Sequence, residues 1–199
     1  MLTAGIIAEF NPFHNGHKYL LNRTRENGAT HIVAVMSGAA VQRGECAVAD
    51  KYFRAQAAVK NGADLVIELP CPFSCSSGEI FAMSAVKLLA SLGEGVVARL
   101  SFGSEIEDLR LLEKAAEASS QLADSREVRK NLAAGQSYPM AVYKAACEKY
   151  GMETGEALAN PNSILGVEYI KALKKLAPHI QPSPVARMAV GHHDSGTVG

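Results

Sequence analysis

The chain has 199 residues, of which 48% are hydrophobic and 20% are charged, and its formal net charge at pH 7 is zero. This length and composition are typical of a globular protein with one sizeable core. Dedicated nucleic-acid-binding proteins are usually basic, so bulk charge gives no support for RNA binding and leaves only a local basic face. The sequence has no apolar run of membrane-spanning length and no secretion signal, which predicts a cytoplasmic protein.

The thiols and the C-terminal histidines do not form a metal-binding pattern. The sequence contains four cysteines, which are Cys46, Cys71, Cys75 and Cys147. The spacing from Cys71 to Cys75 is wider than in a redox C-x-x-C, and no Cys/His pair follows at zinc-finger spacing. Adjacent histidines such as those in His192-His193-Asp194 rarely converge on one ion. We therefore expect free thiols and no metal site built from protein side chains.

Strand-like and helical patterns alternate along the first half of the chain. Apolar runs predict strands at residues 3–8, 31–36, 63–69 and 95–102. Helical patterns between and after them predict helices at residues 15–27, 48–61 and 78–92. This alternation is typical of βαβ units, so the sequence predicts an α/β fold with a doubly wound, Rossmann-like parallel sheet. Ligands of such folds bind beyond the carboxyl ends of the strands.

The second half of the chain is mostly helical. Residues 105–150 read as helices with breaks near 123–124 and 135–139, and residues 163–176 as one more helix with Asn162 or Ser163 as its N-cap. Residues 180–188 are compatible with a last strand, which Pro182 and Pro184 restrict to an edge or a loop. We expect a core formed by residues 1–104 and 160–199, with residues 105–159 as a helical insertion.

Residues 5–18 carry the clearest functional signal. An apolar run breaks at Asn11-Pro12 and helical sequence resumes near Asn15, so His14 and His17 lie where a loop enters a helix. Residues three apart share a helix face, and the helix N-terminus offers free N–H groups and a positive dipole end. Gly16 has no side chain to keep a ligand from the backbone. These groups suit a nucleotide triphosphate, although a metal site or simple helix caps are alternatives.

Several segments carry a family resemblance. His14-Asn15-Gly16-His17 matches the HxGH signature of nucleotidylyltransferases, and the string Glu9-Phe10-Asn11-Pro12-Phe13-His14-Asn15-Gly16-His17 resembles bacterial tRNA(Met) cytidine acetate ligases. Other segments align with that family in chain order: 36–38, 42–45, 64–70, 102–105, 160–166, and Arg187 with 193–194. The resemblance covers nearly the whole chain. It implies a HUP-type nucleotidylyltransferase sheet with a helical insertion.

The resemblance also implies an ATP site, with His14 and His17 as its catalytic residues. The residues implied to bind ATP are Ile7, Ala8, Glu9, Phe10, Asn11, Pro12, Phe13, His14, Asn15, Gly16, His17, Lys18, Tyr19, Leu20, Gly103, Asn162 and Arg187. For three of them a plain structural role is the alternative: a turn glycine at 103, a helix cap at 162 and a solvated surface arginine at 187.

A second basic cluster follows the second strand. Arg43 lies in a turn-like loop, and Lys51 and Arg54 are three apart on the next helix. They are candidate contacts for pyrophosphate or for the tRNA backbone, with a solvated helix face as the alternative. Glu9 and Glu68 end strands at the same sheet edge, where they could orient arginine or lysine side chains or simply be solvated.

The reaction that the resemblance implies has two steps. ATP activates acetate as acetyl-adenylate, and the acetyl group then passes to the wobble cytidine of elongator tRNA(Met), which becomes N4-acetylcytidine. ATP, acetate and elongator tRNA(Met) are thus the expected partners, and Mg²⁺ is expected on the triphosphate. The sequence places no Ser or Cys in a nucleophile motif, so we expect no covalent enzyme intermediate. It does not indicate an oligomeric state.

The resemblance stops short of the family's full pattern. Family members are much longer, with a second phosphate-binding motif after the segment that matches 193–194 and a C-terminal helical region, both absent here. We therefore expect this polypeptide to bind ATP without acetylating tRNA by itself. The alternatives are a small-molecule adenylyltransferase, which should lack the segments at 42–45 and 64–70, and a non-catalytic nucleotide-binding fragment.

Overall fold

The computed structural model of the chain describes residues 1–42 and 44–187. Within this part, five strands form one parallel sheet in the order β3-β2-β1-β4-β5. The strands are β1 (Thr3–Ala8), β2 (His31–Ser37), β3 (Leu65–Leu69), β4 (Arg99–Ser104) and β5 (Gln181–Ala186). The chain leaves central β1 for β2 on one side and later reaches β4 on the other, so the expected doubly wound α/β fold is confirmed.

Eight α-helices and a short 3₁₀ turn (Phe73–Cys75) connect or follow the strands in the described residues. The helices are α1 (Asn15–Glu26), α2 (Lys51–Lys60), α3 (Gly78–Ala90), α4 (Leu109–Leu122), α5 (Arg126–Ala133), α6 (Tyr138–Tyr150), α7 (Met152–Ala157) and α8 (Pro161–Leu176). The breaks between α4, α5 and α6 fall where the sequence predicts them. The short α7 lies between residues 150 and 163, where the sequence predicted no individual helix.

The strands alternate between two apolar layers because successive side chains point to opposite faces of a sheet. Ile6 and Ala34 belong to a cluster that includes Leu21 of α1. Ile7 and Val35 belong to a second cluster, which continues through α3 and α8. Both faces are thus covered by helices, as is usual for a parallel sheet.

Helices α4 to α7 extend the second apolar cluster away from the sheet. Leu112 of α4, Val128 of α5 and Ala141 of α6 are buried in the same cluster as Val167 of α8. One core therefore runs from the strands into the helical region. The expected division of the chain at residues 105 and 159 stays a prediction.

Strand β3, helix α2 and strand β4 all begin later than expected, β3 at Leu65 rather than at residue 63. Helix α2 begins at Lys51 rather than at residue 48, because the Asp50 carboxylate accepts a hydrogen bond from the main-chain N–H of Tyr52 at 2.8 Å and caps the helix there. Strand β4 begins at Arg99 rather than at residue 95. Gly93 and Gly95 have φ values of 122° and 77°, so this stretch turns before the strand starts.

The start of α8 corrects a further expectation, since the helix begins at Pro161 rather than at residue 163. Pro161 occupies the first turn, where its missing N–H costs nothing, so the expected N-cap role of Asn162 or Ser163 is wrong. The exposed N–H groups of this helix end are satisfied instead by a carboxylate from another loop, Glu105, which accepts from the Ser163 N–H at 2.8 Å.

The two prolines of β5 leave it at the sheet edge, as expected. Pro182 and Pro184 lie opposite Leu100 and Phe102 of β4, the one strand among the described residues with which β5 pairs. The strand delivers Arg187, whose N–H donates to the Ser104 carbonyl at 3.0 Å, to the carboxyl edge of the sheet. In the described residues, no helix is long and apolar enough to span a membrane. The cytoplasmic location stays a prediction.

Two leucines of α8 test how the helix is anchored. Leu173 is 2% exposed and Leu176 is 36% exposed. We expect Leu173→Ala to lower the free energy of unfolding by about 2–5 kcal/mol, because it leaves a cavity in the core. The matched change Leu176→Ala should cost about 1 kcal/mol or less. Urea unfolding at constant pH measures both, and equal losses would contradict the packing described.

Candidate functional site

A cavity of about 600 Å³ opens at the carboxyl ends of the strands, between the N-terminal parts of α1 and α8. Most of the residues expected to bind ATP line this cavity. They are residues 7–12, 14–17, 19 and 20 together with Gly103, Asn162 and Arg187. Phe13 and Lys18 are the two expected residues that do not line it. The volume is in the usual range for sites that hold small molecules.

His14 and His17 cap α1 with their ring nitrogens. The Gly16 N–H donates to His14 Nδ1 at 3.0 Å, and the His14 N–H donates to His17 Nδ1 at 3.3 Å. A ring nitrogen that accepts carries no proton, so this network assigns the proton of each neutral imidazole to Nε2. The cap therefore gives the cavity two Nε2–H donors.

The missing side chain of Gly16 makes room for the His14 ring rather than for a ligand. A Cβ at Gly16 would lie 2.9 Å from His14 Cε1 and 3.0 Å from His14 Nδ1. The space that a side chain would fill is therefore occupied by the His14 ring itself. This lets the His14 ring stack on His17, with 3.8 Å between centroids.

Phe10 supports the histidines from inside the protein. Its φ of 46° lies in the left-handed region, which is uncommon for a bulky residue. The buried ring meets His17 edge-on with 4.9 Å between centroids and meets Phe13 at 5.3 Å. Phe13 thus belongs to the packing behind the site rather than to its lining.

Both histidines are held neutral in the free protein. Burial, followed by the Arg187 charge, lowers the pKa of His14. Burial, followed by His14 and Arg187, lowers the pKa of His17 to about 3. At neutral pH the pair therefore donates hydrogen bonds without charge. The positive potential of the site comes from Arg187 and the N-terminus of α1.

A chain of hydrogen bonds orients Arg187. The Arg187 Nη1–H donates to Asn162 Oδ1 at 2.7 Å, and Asn162 Nδ2–H donates to Glu105 Oε1 at 2.6 Å. Burial works to raise the pKa of Glu105, but the hydrogen bonds from Asn162 and Ser163 outweigh it and lower the pKa. Glu105 therefore stays an anion that fixes which way the Asn162 amide points.

Sequence reasoning did not assign Glu105 to the site, although it noted the segment that contains it. Its carboxylate comes directly after a strand, but its partner Asn162 lies 57 residues further along the chain, so no local pattern indicated the contact. The amide of Asn162 thus serves neither as a helix cap nor as an isolated donor. It bridges the two side chains, because its Nδ2–H donates to Glu105 and its Oδ1 accepts from Arg187.

Gly103 lies inside β4, opposite Val185 of β5, so the turn-glycine alternative is wrong. A Cβ at this position would lie 3.4 Å from Arg187 Cγ and 3.8 Å from Arg187 Cδ. The glycine leaves room for the stem of Arg187 to cross the strand end.

Other lining residues were missed because their spacing reads as ordinary core. Phe81, Phe102 and Tyr169 form an apolar part of the lining, and the Phe102 and Tyr169 rings meet at 5.6 Å. Burial, followed by the nearby Glu9, raises the pKa of Tyr169, which keeps its hydroxyl protonated. Only the folding of distant segments onto one sheet edge reveals such a surface.

The loop after β2 forms a further wall. Val41, Gln42 and Glu45 line the cavity. The Gln42 N–H donates to Glu9 Oε1 at 2.7 Å, so Glu9 anchors this loop instead of orienting an arginine or lysine side chain.

The second basic cluster does not form as expected. Arg54 is buried, and its guanidinium N–H groups donate to main-chain carbonyls, so its assignment as a phosphate or tRNA contact is corrected. Lys51 donates to Glu68 Oε2 at 2.7 Å, which confirms that Glu68 orients a lysine. Arg43 lies outside the described residues.

The described residues contain no group of three or more His, Cys, Asp or Glu side chains that could hold a metal ion. The segment 192–194 lies outside them. All four cysteines are free, as expected, with 3.6 Å between the sulfurs of Cys71 and Cys75.

The family model of the HIGH nucleotidyl transferases matches residues 1–198. The chain belongs to this family. It is 41% identical over 209 residues to a tRNA(Met) cytidine acetate ligase of Alkaliphilus metalliredigens and 42% identical over 200 residues to one of Syntrophotalea carbinolica. Each match covers 98% of this chain, and the resemblance read from the sequence is confirmed.

A solved structure gives the same result for the fold. The crystal structure of Thermotoga maritima TmcAL bound with alpha-thio ATP matches with a TM-score of 0.86 at 37% identity. The match covers 95% of this chain and 47% of that chain. The chain likewise spans about half of the ligases, at 49% and 46% of their lengths.

The neutral state of His17 makes stability depend on pH. The pKa is 6.5 unfolded and about 3 folded, so between these values the folded protein binds fewer protons. The free energy of unfolding is therefore highest above pH 6.5 and falls as the pH is lowered, by at most about 1.4 kcal/mol per pH unit.

We expect His17→Asn to flatten the dependence of unfolding free energy on pH between 4 and 7. His31→Asn, at an exposed histidine, is the control, and parallel curves for wild type and His17→Asn would contradict the assignment.

The close approach of Gly103 to Arg187 gives a second test. Gly103→Val should push the arginine stem away from Asn162 and weaken ATP binding by about 10–100-fold, the cost of one charge-assisted contact. Gly103→Ala, which adds one atom at ordinary contact distance, should change it far less. Titration calorimetry with ATP and thermal melting separate a binding defect from a loss of stability. Equal ATP affinities for wild type and the valine variant would rule the role out.

Proposed function

We propose that this chain is the nucleotide-binding part of a tRNA(Met) cytidine acetate ligase. One observation carries the proposal: two neutral histidine donors and an oriented arginine surround one cavity at the switch point of a doubly wound sheet. The identity to ligases over nearly the whole chain supports the same reaction class.

In the proposed complex, the ATP triphosphate lies against the N-terminus of α1. The Nε2–H groups of His14 and His17 and the guanidinium of Arg187 donate to phosphate oxygens. The adenine occupies the apolar part of the cavity near Phe102 and Tyr169. In this orientation the charged triphosphate faces the polar lining and the adenine ring faces the apolar lining.

Activation of acetate needs positioning and charge stabilisation rather than a protein nucleophile. An acetate oxygen attacks the α-phosphorus, the bond to the bridging oxygen breaks, and pyrophosphate leaves with the electron pair. The two histidines and Arg187 donate to the oxygens on which negative charge grows. The rings need no reorganisation because the cap already fixes their tautomers.

Mg²⁺ fits this site as a partner of the triphosphate rather than of a protein ligand set. Such ions are commonly held by one or two carboxylates together with phosphates and water. Glu9 and Glu45 are the carboxylates in the described lining. When bound, the ion offsets part of the triphosphate charge.

Acetyl transfer completes the proposed reaction. The N4 amine of the wobble cytidine attacks the acetyl carbonyl, AMP leaves, and the amine loses a proton. The curated ligases are about twice as long as their matched part. We therefore assign adenylation, and not recognition of elongator tRNA(Met), to residues of this chain.

Exchange of labelled pyrophosphate into ATP tests the proposal. We expect exchange with acetate and little without it. A small-molecule adenylyltransferase would instead catalyse ATP formation from a dinucleotide product and pyrophosphate, without any need for acetate. A non-catalytic fragment would bind ATP in calorimetry and show no exchange under any condition. Either result would overturn acetate activation by this chain.

The histidine cap predicts the size of one mutational effect. His17→Ala should lower the rate of acetate-dependent exchange by about 10²–10³-fold, which is typical for loss of one donor to a developing oxyanion. The control is His31→Ala, at an exposed histidine that begins β2, and it should behave like wild type. An unchanged rate for His17→Ala would remove the histidine from the mechanism.

A further inference from the structure

Arg54 is the largest fully buried side chain in the described part of the protein, with 1% of its surface exposed. Its hydrogen-bond partners are main-chain carbonyls rather than carboxylates. Nε–H donates to Ala49 O at 3.0 Å, and Nη1–H donates to Glu9 O at 2.7 Å. The remaining bonds run to the carbonyls of Ser37 and Gly38.

These carbonyls belong to three segments that are distant in sequence. Glu9 follows β1, Ser37 and Gly38 end β2 and begin its loop, and Ala49 precedes α2. One planar guanidinium joins them, and its fork has a fixed geometry. A single side chain therefore cross-links the three segments just beyond the point where the pairing of β1 with β2 ends.

The bond to Glu9 leads directly to the histidine cap. The Glu9 carbonyl is part of the peptide that precedes Phe10, the residue with left-handed φ. The Phe10 ring packs edge-on against His17. By fixing this peptide, Arg54 fixes the surface on which the His17 ring rests.

The bonds to Ser37 and Gly38 lead to the other wall. The chain continues from Gly38 to Val41 and Gln42, which line the cavity. Gln42 is tied back to the Glu9 side chain, so both walls converge on residues that Arg54 holds.

Burying the charge of Arg54 costs free energy, so an apolar side chain would serve better if the position only had to be filled. Burial lowers the pKa of Arg54, and the carboxylates of Asp50, Glu9 and Glu68 work in the opposite direction. An arginine nevertheless stays charged at neutral pH. The cation thus lies directly behind main chain that lines the cavity, where it favours a polyphosphate.

We propose that Arg54 is a positioning residue for the nucleotide: it holds the segments 9–14 and 38–42 in the arrangement that receives the triphosphate, without touching the ligand. This inference rests on the proposed function, because it assumes that the cavity binds ATP. The alternative is a cross-link that serves stability alone.

Arg25 supplies a matched control. Its guanidinium also donates to main-chain carbonyls, those of Thr30 and Gly62, and to the Asp64 carboxylate. These partners lie at the amino ends of β2 and β3, opposite the cavity. Arg25→Lys and Arg54→Lys each keep the charge and lose the planar fork.

The test is titration calorimetry with ATP on wild type, Arg54→Lys and Arg25→Lys, with melting temperatures for all three. We expect Arg54→Lys to raise the Kd for ATP at least tenfold, and Arg25→Lys to stay within twofold of wild type even if its melting temperature falls as far. Equal Kd values for wild type and Arg54→Lys would overturn the positioning role, as would equal increases in both variants. Absence of binding by wild type would instead refute the proposed function, and the positioning role with it.

A measurement on wild type decides the matter if Arg54→Lys does not fold. The ¹⁵N resonance of Arg54 Nε should shift when ATP is added, because its partner segments contact the ligand. The Arg25 Nε resonance should not move. An unmoved Arg54 resonance with saturating ATP would contradict the proposal.

Discussion

The central position of β1 is the constraint on which the rest of the structure depends. Its residues Ala4, Gly5 and Ile6 pair with β2 on one side and with β4 on the other. A strand with neighbours on both sides cannot slip without breaking two ladders, so the loop that follows it leaves the sheet at a fixed point. The connections diverge there, and the crevice between them holds the candidate site.

The electrostatics of the site follow from this crowding at one sheet edge. Arg187 and two imidazoles share a partly buried space, where burial first and the neighbouring charged groups second lower the pKa values of both histidines. The capping bonds then direct the remaining ring protons to Nε2. The site therefore combines two uncharged hydrogen-bond donors with the positive side chain of Arg187.

The sequence by itself determined the alternation of strands and helices, and with it the doubly wound parallel sheet. Hydrophobic periodicity and the residues that end helices and strands suffice for this, because βαβ units have essentially one handedness. It also located the histidine cap, since a loop entering a helix is a local event. Its errors were local too. Asp50 starts α2 later than apolar spacing suggests, and positive φ at Gly93 and Gly95 delays β4.

Only the tertiary structure decided which distant groups serve the site. Arg54 and Lys51 lie one turn apart on one helix, yet the fold buries the first and pairs the second with Glu68. Helical spacing cannot separate these outcomes, because burial depends on which carbonyls the neighbouring strands bring close. For the same reason Glu105 gained its role from Asn162 in the first turn of α8, which lies 57 residues further along the chain. Contacts at such separations are set by the sheet order, and no local pattern encodes them.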